Sequence, residues 1–216
     1  MDAGLRLAWT QIVTVADYDD HMAAIGQAQA AAVLTEDMLR AVAPQTNGRV
    51  VIAGAGTGQV LDFLEPSLLR PFELTFTDLN PAFLARLKER LDHHGLRATI
   101  LEDDIERTAL EPGPDLLLAT LVLEHIDWRQ GVEAIAGLRP VACGIIIQEN
   151  PPGMTSSVTP GRRIPVSIAK AIEIGHATLV PRGELIAAFE ARGYPLKEEF
   201  LREVADGKRL LALLFL

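Results

Sequence analysis

Three glycines at alternate positions, Gly54, Gly56 and Gly58, stand closest to chemistry in this 216-residue chain, together with Asp78, twenty positions after the last of them. The glycines follow an apolar run, Val50-Val51-Ile52-Ala53, that reads as a strand buried on both faces. A chain leaving a strand through such a loop turns sharply and lets a ligand touch its backbone, because no Cβ blocks the approach. A helical segment predicted from about Gln59 to Leu64, with Pro66 as its breaker, would offer free N–H groups to that ligand. The next β-rich run, Glu73 to Thr77, ends in Asp78, and an acid there can hold the two hydroxyls of a ribose. These residues describe a nucleoside-binding half-fold. Spacing then separates one nucleoside site from another. The dinucleotide fingerprint counted from Gly54 needs its third small residue at position 59, and that residue is Gln59.

Read as G-x-G-x-G and taken with the motifs that follow in order, the chain resembles the class I S-adenosylmethionine-dependent methyltransferases of the small-molecule type. The resemblance runs from about Arg49 to Leu216 and is looser before that. It implies that the loop Gly54-Ala55-Gly56, with Gly58, wraps the methionine end of S-adenosyl-L-methionine, and that Asp78, with Leu79 beside it, binds the ribose. The string Glu102-Asp103-Asp104-Ile105 would supply an acid for the adenine amino group and a residue packing on the ring. Asp104 and Ile105 fit those roles, with Asp103 the competitor, since a strand end can slip by one residue. Leu121 opens the string Leu121-Val122-Leu123-Glu124-His125-Ile126, which resembles the segment after the fourth strand in bacterial enzymes that modify quinones and polyketides. Its first residues would face the methionine moiety. Tyr18, followed by an acid, matches an upstream feature of the small-molecule members, whose ring lies near the cofactor. The plainer alternative is that Tyr18 and His21 anchor the N-terminal segment to the core.

What the resemblance implies is transfer of a methyl group to a small-molecule acceptor, with an in-line approach at roughly 3 Å and water excluded. That reaction requires no metal, and the sequence holds no His/Cys ligand cluster. A hydroxyl or carbon-acid acceptor would make a base useful, and His125, His21, Glu149 and His176 are the candidates, in that order. Glu124 and His125 belong near the mouth of the site, although Glu124 can equally serve the next helix's N-terminus. Asn150-Pro151-Pro152 invites comparison with enzymes that methylate amide or adenine nitrogens. Gly153 stands where those carry an aromatic, and the string follows the fifth predicted strand instead of the fourth, so it reads as a turn. Two rivals stay open: methylation of RNA or protein, and a non-catalytic member that binds the cofactor to regulate a partner. Gln59 and the terminal hairpin argue against a nicotinamide oxidoreductase.

The elements that must position these residues follow from periodicity and breakers. Residues 1–47 read as an N-terminal helical segment, alanine-rich through about Val42, with Thr35 a candidate cap for a second helix, and the resemblance implies that this segment is a lid. Residues 48–216 form the cofactor-binding domain, with an irregular stretch at about 151–180 rich in proline and glycine that the resemblance implies is a substrate-cap insert. Met154, Arg162, Arg163 and His176 are its notable side chains, and paired arginines can recognise a carboxylate or phosphate. Asn80-Pro81 starts a helix that Gly95 stops. Two terminal β-runs about Asp206-Gly207 form a hairpin. The expected fold is α/β: a Rossmann-like seven-stranded sheet, mostly parallel with an antiparallel C-terminal hairpin strand and helices on both faces. A net charge of −9 argues against a broad phosphate-binding surface, and so against nucleic acid as partner. Cys143 is the only cysteine, which excludes an intramolecular disulfide and suggests the cytoplasm. It sits beside an apolar run, as an inert buried thiol would. No run is long enough to span a bilayer, and the start lacks the pattern of a signal peptide. A homodimer is compatible with the sequence, which carries no motif that sets the assembly.

Overall fold

The computed structural model describes residues 3–43, 47–155, 163–175 and 177–216. Seven strands form one sheet: β1 (Arg49–Ala53), β2 (Glu73–Asp78), β3 (Ala98–Glu102), β4 (Leu116–Thr120), β5 (Ala142–Glu149), β6 (Leu196–Glu203) and β7 (Arg209–Phe215). Their order is β3-β2-β1-β4-β5-β7-β6. β7 alone runs against its neighbours, pairing antiparallel with β5 on one side and β6 on the other. This is the expected Rossmann-like seven-stranded sheet with its antiparallel C-terminal strand.

Side-chain alternation along the strands builds two cores. Val50, Leu116, Leu118 and Ile146 face α3 (Gln27–Val42) and α4 (Pro81–His94). Val51, Leu117, Ala119 and Ile145 face α5 (Trp128–Gly137) and α7 (Arg182–Glu190). Strands covered on both faces need apolar residues at every position, which is why β1, β4 and β5 read as unbroken apolar runs. Cys143 is buried in the second core, and burial pushes its thiol up, away from reactivity. The helix expected at 59–64 is shorter and tighter, a 3-10 turn at Gln59–Asp62 followed by another at Pro66–Leu68. α4 starts at an Asn80 cap, whose side chain accepts from Ala82 N and Phe83 N, and stops at Gly95.

A third cluster lies over the carboxyl edge of the sheet. α1 (Ala3–Leu7) runs into a π-helical turn at Ala8–Ile12, α2 (Val15–Ile25) follows, and α6 (Val166–Ile174) packs beside them. Ala8, Val13, Phe83, Ile168 and Ala171 are buried between these elements. Thr14 caps α2 by accepting from Asp17 N. Thr35 is not a cap: it is buried inside α3, and the helix break falls instead at Gly26, left-handed at φ 70°. The hairpin connection is longer than two residues, with a 3-10 turn at Ala205–Gly207 closed by Val204 N donating to Lys208 O. No helix among the described residues is long and apolar enough to cross a membrane.

Candidate active site

The carboxyl ends of β1, β2 and β4 converge on a cavity of about 310 Å³, also lined by the segment after β3. Its floor is the glycine loop. Gly56 N donates to Asp78 Oδ2 at 2.8 Å, and Asn80 N donates to Asp78 Oδ1 at 2.9 Å. The acid and the loop are thus one unit, and each Asp78 oxygen keeps a lone pair for a further donor. Burial, against these backbone donors, pushes the Asp78 carboxyl up from its ordinary value. Contacts explain the glycines: a Cβ on Gly54 would lie 2.4 Å from Val122 Cγ2, and one on Gly58 2.5 Å from Leu87 Cδ1. At Gly56 (φ 58°) a Cβ would approach the Tyr18 hydroxyl at 3.1 Å, in a conformation side chains rarely adopt. Tyr18 is wedged between Phe83, at a ring-centroid distance of 4.8 Å, and Trp9 at 6.0 Å. Burial pushes its hydroxyl up, with Asp78 and Asp19 adding to the effect.

Asp19, the acid after Tyr18, ties α2 to this floor. Its Oδ1 accepts from Thr57 Oγ1 at 2.5 Å and from Gln59 Nε2 at 2.7 Å, while its Oδ2 accepts from Arg90 Nη2 at 2.8 Å. Arg90 also donates to Thr57 O and to Asp62 Oδ2. Burial opposes ionisation of Asp19, but the donors Arg90, Thr57 and Gln59 outweigh it and hold the carboxyl below its usual range. Gln59, the residue that broke the dinucleotide pattern, therefore has a structural use. Sequence reading missed Asp19 as a hub, and its only local signal was its place after Tyr18.

At the β3 end, Asp104 and Ile105 both line the cavity, and Ile105 is buried. Both oxygens of Asp104 are engaged: Oδ2 forms an ion pair with Arg6 from α1, and Oδ1 accepts from Glu106 N at 3.1 Å. Asp103 accepts from Ala109 N through Oδ1, and its Oδ2 is buried without a partner. At the β4 end, Leu121 lines the cavity with φ 55°. Glu124, 4% exposed, accepts from Gln148 N of β5 at 2.8 Å through Oε1, and Oε2 is unpartnered. Burial raises its carboxyl to about 7. His125 packs edge-on against Trp9, 4.5 Å between ring centroids, with Nδ1 buried and unpartnered, and burial lowers its imidazole to about 4.

The structure brings Tyr18, His21, Gly54, Ala55, Gly56, Gly58, Asp78, Leu79, Asp104, Ile105, Leu121 and His125 to this one cavity. It does not bring Glu149, which is absent from the lining and pairs with Arg209 at 2.8 Å across β5 and β7. His176 and Arg162 lie outside the described residues. Asn150 is held in a turn, accepting from Gln148 Nε2 and donating to Met154 O. Among the described residues no group of three or more His, Cys, Asp or Glu side chains could hold a metal ion.

Residues 51–140 match a family model described as a methyltransferase domain. Among solved structures, the magnesium protoporphyrin IX methyltransferase of Synechocystis PCC 6803 with bound SAH is similar over 98% of this chain and 92% of its own, with a TM-score of 0.62 at 14% identity. The chain has the class I methyltransferase fold. The N-methyltransferase NodS from Bradyrhizobium japonicum WM9, in complex with S-adenosyl-L-homocysteine, shares this fold over 84% of this chain and 82% of its own (TM-score 0.57, 14% identity). So does the [4+2]-cyclase SpnF, over 80% and 60% (TM-score 0.60, 15% identity). A 5-methylorsellinic acid synthase from Aspergillus terreus is 40% identical over 67 residues, 29% of this chain. The chain spans only 2% of that relative's length. Within the methyltransferase fold the glycine loop, Asp78 and the string after β4 all fall inside the matched residues 51–140.

Proposed function

We propose that this chain transfers the methyl group of S-adenosyl-L-methionine to a small-molecule acceptor. The observation that carries the reading is the union of Gly56 N with Asp78 at the floor of an apolar cavity on the carboxyl edge of a methyltransferase fold. Such an edge, where a glycine loop leaves the first strand, is where α/β sheets bind nucleosides. The residues fit the cofactor. The loop at Gly54–Gly58 has no side chain in the way, Asp78 keeps acceptor capacity for ribose hydroxyls, Leu79 flanks it, and Ile105 offers an apolar surface for a base. Asp104 would take the adenine amino group once Arg6 lets go, with Asp103 the competing acid beside it. Bound there, the cofactor supplies an electrophilic sulfonium methyl. Tyr18 and Leu121 would shape the methionine end, and His125 and His21 stand in the cavity wall as groups for the acceptor.

A small acceptor is favoured over RNA or protein because the N-terminal segment, with Trp9, Val13, Tyr18 and Met22, and α6, with Ile168 and Ile172, line the same cavity. In this reading residues 1–47 act as a lid and the stretch around 151–180 as a substrate cap. Such a cover excludes water from the reacting centre. The protein would act in the cytoplasm, as a monomer or homodimer. One observation keeps a second reading in view: a [4+2]-cyclase has this fold, so cofactor binding without methyl transfer is a distinct outcome. Calorimetry with S-adenosylhomocysteine and with NAD tests the first step, and incubation of a metabolite extract with methyl-labelled cofactor tests the second. Binding of S-adenosylhomocysteine alone, with label passed to a small molecule, is expected. Binding of NAD instead would overturn the reading.

A further inference from the structure

Strand order separates the two ends of the cavity. The adenine acids follow β3, Asp78 ends β2, and the residues for the methionine end follow β1 and β4, whereas β5 is the next strand beyond β4. What reaches past the cofactor to the β5 end is the methyl acceptor. There α3 delivers Gln27, its first residue, after Gly26 breaks the chain from α2. Gln27 is 8% exposed and Gln148 of β5 is 6% exposed, and both line the cavity. Gln27 Nε2 donates to Gln148 Oε1 at 2.9 Å. From this geometry we propose that Gln27 Oε1 is a specificity-determining group, and that the methyl acceptor carries an uncharged N–H or O–H donor that binds it. The proposal rests on the methyl-transfer reading above and deepens it.

The way these amides face is set from one end. Met154 O is a backbone carbonyl and can only accept, so the Asn150 atom bonded to it at 3.0 Å is Nδ2. That leaves Asn150 Oδ1 to accept from Gln148 Nε2 at 2.8 Å, and Gln148 Oε1 to accept from Gln27 Nε2. Turning any one amide over would set donor against donor or oxygen against oxygen. The relay therefore ends in an oxygen, Gln27 Oε1, which accepts from no described residue. Among the described residues the fully buried side-chain atoms without a partner are Asp103 Oδ2, Glu124 Oε2 and His125 Nδ1. Gln27 Oε1 is not one of them, so it keeps surface that a ligand can reach. Its chain neighbours on the cavity wall, Ile25 and Ala28, are apolar. Asp206 and Lys208, in the hairpin connection that leads into β7 beside β5, also line the cavity, and each is already engaged. Their opposite charges offset each other, so this end has no net charge to draw an ion, and an uncharged donor suits it. An acceptor lacking a donor would strip water from Gln27 Oε1 and return nothing, which costs more than an ordinary hydrogen bond gains. Discrimination by such a group is accordingly steep.

Indole and benzofuran share one shape and differ in a single group, an N–H against a ring oxygen. Each is titrated calorimetrically into protein saturated with S-adenosylhomocysteine. Expected is indole binding at least about fivefold tighter than benzofuran. Gln27→Met keeps the length of the side chain and removes its oxygen. It should bring the ratio to within about twofold of one, while S-adenosylhomocysteine affinity stays within about twofold of wild type. A merely structural Gln27, joining α3 to β5, would move stability and leave the ratio as it is. Wild-type protein that binds indole less than about fivefold tighter, including uptake of neither probe, overturns the proposal. So does a folded Gln27→Met protein whose ratio stays above about twofold. Should Gln27→Met not fold, Gln27→Asn, which keeps an amide but draws it back by one methylene, decides on the same ratio. Wild-type protein that fails to bind S-adenosylhomocysteine overturns the underlying methyl-transfer reading instead.

Discussion

At Glu124 burial raises the carboxyl from 4.5 to about 7, and at the next residue burial lowers the His125 imidazole from 6.5 to about 4. The folded state holds Glu124's proton more tightly than the unfolded chain does. Stability from this group is therefore full below about pH 4.5 and is lost as pH rises through about 7. His125 acts in the other direction: its contribution is present above about 6.5 and is lost as pH falls through about 4. Between these limits the two slopes oppose each other, so the contributions of these two groups should nearly cancel. Glu124→Gln removes one slope, and urea titrations should find it gaining up to about 3 kcal/mol on the wild type between pH 4 and pH 8. Asp78→Ala should weaken S-adenosylhomocysteine binding by about thirtyfold to a thousandfold, the loss of about 2–4 kcal/mol of charge-assisted hydrogen bonding. Unchanged affinity by calorimetry in a folded variant would remove Asp78 from the site. Asp78 and the glycine loop were legible in the sequence because their chemistry is local: strand, loop and acid lie within thirty residues. The state of Asp104 was not legible, because its partner Arg6 comes from 98 positions away. Nor was the inward turn of Glu124, which depends on a backbone N–H of β5.

Among the elements, α2 is joined to the glycine loop and α4 by the Asp19 carboxylate and by the Tyr18 ring beside Phe83. Removing the Asp19 carboxylate leaves Arg90, largely buried, with Asp62 as its remaining carboxylate. Asp19→Ala should cost about 2–3 kcal/mol in denaturant unfolding, less than a fully buried pair because Arg90 keeps that second partner. It should also weaken cofactor binding, since Thr57 and Gln59 flank Gly58. The exposed pair Arg129–Glu184 is the control, and Glu184→Ala should stay within about 0.5 kcal/mol. Equal effects of the two variants would mean that Asp19 is not a hub. α6 was hidden in the sequence by the prolines around it, although Pro165 ahead of it, Ile168, Ala171 and Ile172 at helical spacing, and Gly175 after it were all present. The π-helical turn at Ala8–Ile12 had no such signal. Its course follows from what Trp9 packs on: Tyr18, His125 and, through its carbonyl, Asn80.

For the molecule as a whole, the sheet with its two apolar layers was legible, because strands buried on both faces must be apolar throughout. Within the second layer Phe215 stacks on Phe189 at 4.4 Å with no exposure of its own. Phe215→Ala should cost about 3–5 kcal/mol, whereas Leu201→Ala on the edge strand β6, already 38% exposed, should cost under about 1 kcal/mol, both by chemical denaturation. β6 carries Lys197, Glu198, Glu199, Arg202 and Glu203, charges that discourage another strand from adding to that edge. The place of β7 between β5 and β6 sets an order of assembly. β6 touches no strand but β7, so it cannot join the sheet before β7 does. A hairpin that closes first would bring both strands to β5 in one step. Until it does, β5 presents the bare flank of an apolar ribbon, Ala142 to Ile147, to whatever else is in solution. Folding of this chain is thus a race between hairpin docking and self-association, and slowing the turn at Ala205–Gly207 would lose that race before any change in the finished structure could be seen.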